Sequence, residues 1–150
     1  KNKFDIYTDT LLYIAARNEH IKNTIKPAIL KKKIIICDRF TDSTIAYQVY
    51  GRGVNKNLVD LIHKNILGDL KPNLTIILKI KYSKVLERLK KRKIVNRYDK
   101  FSKNFYLKVQ RAFIKIAKTN KKRYIVFDSS SDCNNLEKVI FAKVIDFLKK

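Results

Sequence analysis

The sequence predicts an α/β fold in which a parallel sheet lies between layers of helices. Three observations predict it. Short apolar runs recur at residues 34–37, 74–80 and 123–127. Between them lie segments whose apolar residues repeat every three or four positions, as on one face of a helix. Each intervening segment is too long for a hairpin, so successive strands are joined by crossovers and run parallel. A chain of 150 residues with 45% hydrophobic and 11% aromatic residues fits one domain, residues 1–150, and has the apolar groups for a real core. It shows no linker, repeat or low-complexity stretch.

The elements follow in order. Leu11, Ile14, Ala15, Ile21, Ile25, Ala28 and Ile29 keep helical spacing, with Asn18 as an exception. This helix is expected to start near Thr8 and to bend or restart at Pro27. Lys31, Lys32 and Lys33 lead into Ile34, Ile35, Ile36 and Cys37, a continuous apolar run that reads as a buried parallel strand ending at Asp38-Arg39. Helical signals resume over residues 41–49 and stop at Gly51-Arg52-Gly53. A further helix covers residues 55–67, and Gly68-Asp69 with Pro72 makes a turn. A second strand follows at residues 74–80. Ser83 is the expected N-cap of a helix reaching Lys93. Helices at residues 102–119 and 134–148 flank the third strand, at residues 123–127.

Composition narrows the function. The net charge is +22, with 27 Lys against 8 Arg. A nucleic-acid-binding module would gather its basic residues with interleaved aromatics on one face. Here the lysines are spread along the whole chain, mostly on polar helix faces, and the bias toward Lys, Ile and Asn is that of AT-rich coding. No apolar run approaches a membrane span, and no signal peptide is apparent. Cys37 and Cys133 form no close-spaced metal or redox motif, which points to a reducing cytoplasm. His20 and His63 stand without a metal partner at useful spacing. The chain has no Met and begins at Lys1, so we expect it to be truncated or processed at its N-terminus. With 3 Gly in all, it contains no Gly-rich phosphate loop.

In parallel sheets ligands bind beyond the carboxyl ends of the strands, which directs attention to the residues after Cys37, Ile80 and Phe127. The first place is the richest. Asp38 can hold a water on Mg²⁺, and Arg39 offers a planar fork for phosphate oxygens; a plain Asp–Arg pair terminating a strand is the alternative. Thr41, Ser43 and Thr44 add hydroxyls, and Tyr47 and Gln48 a ring edge and an amide suited to a base or sugar. Tyr13 and Arg17, spaced i, i+4, can stack on a base and reach its carbonyl, or can be a core Tyr with Arg at its rim. Arg88, Arg92 and Arg97 end a helix and enter a loop that could close on a transferring phosphoryl group; the alternative is a solvated basic helix end.

Taken together, LLYIAARNEHIKNTIKPAIL (residues 11–30), DRFTDSTIAYQ (38–48), Gly51-Arg52-Gly53 and LGDLKPNLTIIL (67–78) resemble bacterial thymidylate kinase in order and spacing. The resemblance runs from about Asp9 onward and thins after residue 100. It implies a three-layer parallel sheet of the P-loop nucleoside-monophosphate kinase type, incomplete here because the first strands are missing. It implies transfer of the γ-phosphate of ATP to dTMP with Mg²⁺, giving dTDP. By this likeness Tyr13 stacks under thymine in place of the usual Phe, and Arg17 hydrogen-bonds the base. Asp38 and Arg39 serve metal and dTMP phosphate. Ser43, Thr44, Tyr47 and Gln48 line the nucleoside pocket. Arg88, Arg92 and Arg97 belong to a lid, residues 88–104, over the ATP phosphates, and Asp128, Ser129 and Ser130 sit by the adenine. A homodimer packed through helices, with residues 58–66 supplying an apolar face, is also implied. Lys108 and Gln110 stand where the family often has an Arg-x-Arg pair, and Phe101 where an acidic residue is common.

The family's Gly-rich loop is absent, an omission of roughly sixty residues at about thirty per βαβ unit. In the family's sheet the missing first strand lies between the strand ending at Asp38 and the strand at residues 74–80. Its loss leaves two unpaired apolar edges, so this piece alone is expected to fold poorly and to lack kinase activity; a soluble monomer with a cooperative melt would count against that. A kinase of another pyrimidine nucleotide or nucleoside on the same fold, and a basic nucleic-acid-binding module, are the alternatives; for the substrate kinase no stable nucleic-acid complex and no membrane partner are expected.

Overall fold

The structure is a computed structural model that describes residues 4–91, 102–130 and 133–149, with Cys133 and Asn134 described by backbone alone. Helix α1 spans Ile6–His20. It starts two residues before the expected Thr8 because Asp5 supplies the cap. The Asp5 carboxylate accepts from the backbone N–H groups of Tyr7 and Thr8 and from the Thr8 hydroxyl, satisfying donors that a helix start leaves open. Asp9 in the first turn adds a negative charge at the positive end of the helix dipole. The chain then widens into a π-helical stretch, π1 (Ile21–Ile25), and continues as α2 (Lys26–Leu30). Pro27 lies inside this continuous helical run, directly after the π-helical stretch; it has no N–H to give the ladder, and a widened turn is where such an interruption is accommodated.

The expected strand at residues 34–37 does not form. Ile34 and Ile36 are 69% and 93% exposed. The physical reason is pairing: a β-run is held by a neighbour's backbone, and among the described residues no strand lies beside this one. Among the described residues the sheet has two strands, β1 (Thr75–Lys79) and β2 (Tyr124–Asp128), paired in parallel from Thr75↔Tyr124 to Lys79↔Asp128. Two of the three expected strands are therefore present, and the incomplete sheet is what the sequence led us to expect.

After the turn at Arg39 come α3 (Thr41–Thr44) and a second π-helical stretch, π2 (Ile45–Gly51). Their combined span matches the expected helix, but its π widening has no signature in the apolar spacing. Gly53, at φ +81°, turns the chain into α4 (Lys56–Leu67), whose Asn55 cap accepts from Asn57 and Leu58. Gly68, at φ +57°, ends it in a conformation that favours glycine. The crossover from β1 to β2 carries α5 (Tyr82–Lys90) and α6 (Lys103–Thr119). Lys81, not Ser83, occupies the N-cap of α5 and makes no side-chain cap bond; the helix begins directly after the strand, before Ser83 is reached. Ser102, where this helix was expected to begin, caps α6, accepting from the Phe105 N–H. Helix α7 (Cys133–Leu148) follows β2.

Packing centres on π2. One side, through Ala46, Tyr47 and Tyr50, meets Phe105, Val109 and Ala112 of α6. The other, through Ile45 and Val49, meets Ile14 of α1 and Val59 of α4. A third cluster, Ile77, Ala117 and Tyr124, seats α6 on the sheet. No described helix is long and apolar enough to cross a membrane.

Candidate functional site

The first group of predicted residues meets where α1 crosses the start of α3. Arg17 Nη1 donates to Thr44 Oγ1 at 2.6 Å, and its guanidinium lies 5.8 Å from the centre of the Phe40 ring. Thr44 is 1% exposed. Burial lowers the pKa of Arg17, opposed by the nearby Cys37 and Asp42; the group stays cationic. Burial likewise raises the Cys37 thiol, with Arg17 pulling it back. One turn before Arg17, Tyr13 presents an exposed ring.

Arg39 takes a left-handed backbone conformation, φ 62°, unusual for a residue with a Cβ. Its guanidinium lies 4.9 Å from the Tyr47 ring centre, and Nη2 donates to the Tyr47 hydroxyl at 3.4 Å. Tyr47 itself is fixed by tilted and edge contacts with Phe105 and Phe113, at 6.1 and 6.0 Å. Asp38 is exposed beside it, Ser43 half-buried and Gln48 buried. A cavity of about 180 Å³ opens between Tyr47, the end of β1, α5 and α6, lined by Lys79, Tyr82, Tyr106 and Gln110 among others.

The second group gathers at the carboxyl ends of the strands. Asp128 pairs with Lys79 at 3.2 Å and accepts from Ser130 N–H at 2.9 Å; hydrogen bonds from Ser130, then Lys79, hold its carboxyl down at about 2. The buried Ser129 donates both its N–H and its hydroxyl to Lys79 O. Ser130 Oγ accepts from Lys81 N–H. Arg88 Nη2 donates to Ser129 O at 2.8 Å, so the first predicted lid arginine lies against the predicted adenine-side residues. Gln110 accepts from Ile80 N–H at 3.1 Å. Arg92 and Arg97, with most of the predicted lid, lie outside the described residues.

Three further constellations escaped the sequence reading. Asp9, 3% exposed, is ion-paired with Arg52 at 2.5 Å. Asp42 accepts from Arg123 Nη2 and from the Tyr124 hydroxyl, both at 2.9 Å, tying the start of α3 to β2. His63 is 7% exposed, and its Nε2 finds no hydrogen-bond partner among the described residues. Asp9 did carry a signal, since it stands four residues before Tyr13 and eight before Arg17, on one stripe of a helix. Among the described residues no cluster of three or more His, Cys, Asp or Glu could hold a metal ion. A single exposed carboxylate such as Asp38 fits Mg²⁺, which keeps waters and phosphate oxygens as its other ligands.

Comparison with known proteins gives one answer. A family model described as thymidylate kinase matches residues 1–140. The chain is 35% identical to a thymidylate kinase of Mycoplasma capricolum over 153 aligned positions, covering 100% of this chain and 72% of that protein. It is 45% identical to one from Wolbachia pipientis wMel over 117 positions, covering 77% of this chain and 57% of that protein. A crystal structure of thymidylate kinase from Ehrlichia chaffeensis superimposes with a TM-score of 0.71 at 34% identity, covering 97% of this chain and 68% of that one. The chain thus spans between 57% and 72% of the length of these relatives.

Proposed function

The chain belongs to the thymidylate kinase family, and on that premise we propose that its protein transfers the γ-phosphate of ATP to dTMP, giving dTDP. The observation that carries the reading is the meeting of Arg17 and Thr44, 27 positions apart in sequence, at 2.6 Å. It joins the two blocks that carry the predicted base and nucleoside contacts.

The division of labour follows from chemistry. Tyr13 offers a ring face to thymine. Arg17, oriented by Thr44, directs its remaining donors at a carbonyl of the base. Arg39 places a planar cation at the dTMP phosphate while Tyr47 backs it. Ser43, Tyr47 and Gln48 complete the nucleoside wall. Mg²⁺, with Asp38 holding one of its waters, neutralises phosphate charge when bound. Arg88 at the strand ends, with Arg92 and Arg97, covers the ATP phosphates as part of a lid at residues 88–104, and Asp128, Ser129 and Ser130 border the adenine. The protein acts in the cytoplasm as a homodimer, for which the exposed Leu58 and Leu61 of α4 offer an apolar face; dTMP and ATP are its ligands, with no stable nucleic-acid complex.

These 150 residues include no glycine-rich phosphate loop: the 3 glycines are Gly51, Gly53 and Gly68. The test is a coupled assay of ATP-dependent dTMP phosphorylation on the whole gene product beside the 150-residue chain, with dUMP and UMP as competing acceptors. Turnover of dTMP by the whole gene product, and none by the 150 residues alone, is expected. A whole gene product that binds or phosphorylates none of these nucleotides would refute the reading.

A further inference from the structure

The Asp9–Arg52 pair occupies a telling position. Asp9, Tyr13 and Arg17 lie at i, i+4 and i+8, on one stripe of α1. Asp9 meets Arg52, and Arg17 meets Thr44, so α1 and the α3–π2 segment run antiparallel with one tie at each end. In chain order the residues read as nucleoside contacts fall between the two ties, Tyr13 on α1 and Tyr47 and Gln48 on π2, with the Tyr47 ring turned toward α6. Along α1 the ties stand about 12 Å apart, at 1.5 Å per residue.

Arg52 is itself held on both sides. A Cβ on the preceding Gly51 would come within 2.8 Å of Phe105 Cε2, so the backbone there lies close against α6. The following Gly53 sits at φ +81°. Asp9 is almost wholly buried, and a buried charge is costly unless paired; an apolar pair of similar volume would stabilise the fold at least as well. What the ion pair adds is direction, through a charge-assisted hydrogen bond with fixed geometry.

We propose that Asp9 and Arg52 are positioning residues for the dTMP subsite: their pair sets the spacing of α1 against π2, and so the distance between Tyr13 and the Tyr47–Gln48 wall. This rests on the thymidylate kinase reading. The test is steady-state kinetics of the whole gene product carrying Asp9→Asn, Arg52→Gln, Arg52→Lys, or the Asp9→Asn/Arg52→Gln pair. KM for dTMP is expected to rise about tenfold in each neutralising variant, as for loss of a charge-assisted hydrogen bond, while KM for ATP stays within about twofold. The double variant is expected to be no worse than the singles, since both remove the same contact, and Arg52→Lys to recover part of the loss.

A KM for dTMP within twofold of wild type in the neutralising variants overturns the proposal. So does an equal change in both KM values, which a general disturbance of the fold would give; loss of folded protein alone lowers the apparent kcat and leaves KM for dTMP unchanged. If Arg52→Gln does not fold, Arg52→Lys decides: it keeps the charge without the planar fork, and an unchanged KM for dTMP overturns the proposal. A wild-type enzyme with no dTMP turnover would instead refute the family activity on which the proposal stands.

Discussion

Acidification should unlock this fold at His63. The imidazole lies on α4, 7% exposed, with Nε2 unpartnered among the described residues. Burial, with help from the cationic Arg17, lowers its pKa from 6.5 to about 4, while Asp60 pulls the other way. The sign follows from proton binding. Above pH 6.5 the imidazole is neutral in both states and its contribution is fully present. As the pH falls from 6.5 toward 4, the unfolded chain takes up a proton that the native state refuses, so stability is lost; below 4 the loss levels off. With these values the loss between pH 7 and pH 5 is about 2 kcal/mol, or about 4–8 °C in Tm for a protein of this size. The assay is thermal melting of the whole gene product from pH 7.5 to 4, beside His63→Leu. Carboxylates titrate in both proteins, so the difference between the two curves isolates the histidine. The variant is expected to keep the higher Tm at pH 5 relative to its own value at pH 7. Parallel curves for the two proteins would mean that His63 takes up no proton on unfolding in this range.

Three other outcomes are expected. Thr44→Val removes the acceptor of Arg17 in a site 1% exposed, and should weaken dTMP binding by about 1.5–3 kcal/mol, read by titration calorimetry. Asp42→Asn leaves Arg123 without its carboxylate and should lower stability by about 2 kcal/mol in urea melts, whereas Tyr124→Phe, which removes one neutral donor, should cost about half of that. Gly53→Ala meets open space but imposes a side chain at φ +81°; a loss of about 1 kcal/mol in the same melts is expected from backbone strain alone.

Most of the helices were legible because their signals are local. Asn55, Gly68 and Ser102 mark boundaries where the structure has them. The failures are equally physical. Ile34–Cys37 has all the local marks of a strand, but a strand exists only through its neighbour, and no apolar count reports whether that neighbour is present. The π turns at 21–25 and 45–51 leave the apolar pattern nearly unchanged while shifting the side chains that follow. At the site, Arg17, Arg39, Thr44 and Tyr47 were each named for their own chemistry, and the structure sets Arg17 against Thr44 and Arg39 against Tyr47, pairings with no signal in the sequence. Asp9–Arg52 and Asp42–Arg123 went unread because each joins residues 43 and 81 positions apart, and charge alone does not announce a partner at such distances.

The open run at residues 34–36 also bears on how the 150-residue chain behaves in the test tube. Three consecutive isoleucines, two of them facing solvent, are a seed for intermolecular strand addition and aggregation. The three lysines immediately before them act as gatekeepers, since copies that approach edge to edge bring like charges together. That protection is electrostatic and therefore depends on ionic strength: the screening length shrinks from about 10 Å at 0.1 M salt to about 3 Å at 1 M. Light scattering from the isolated chain should accordingly rise with added salt, and Lys31–Lys33 changed to neutral residues should scatter at low salt as the unaltered chain does at high salt.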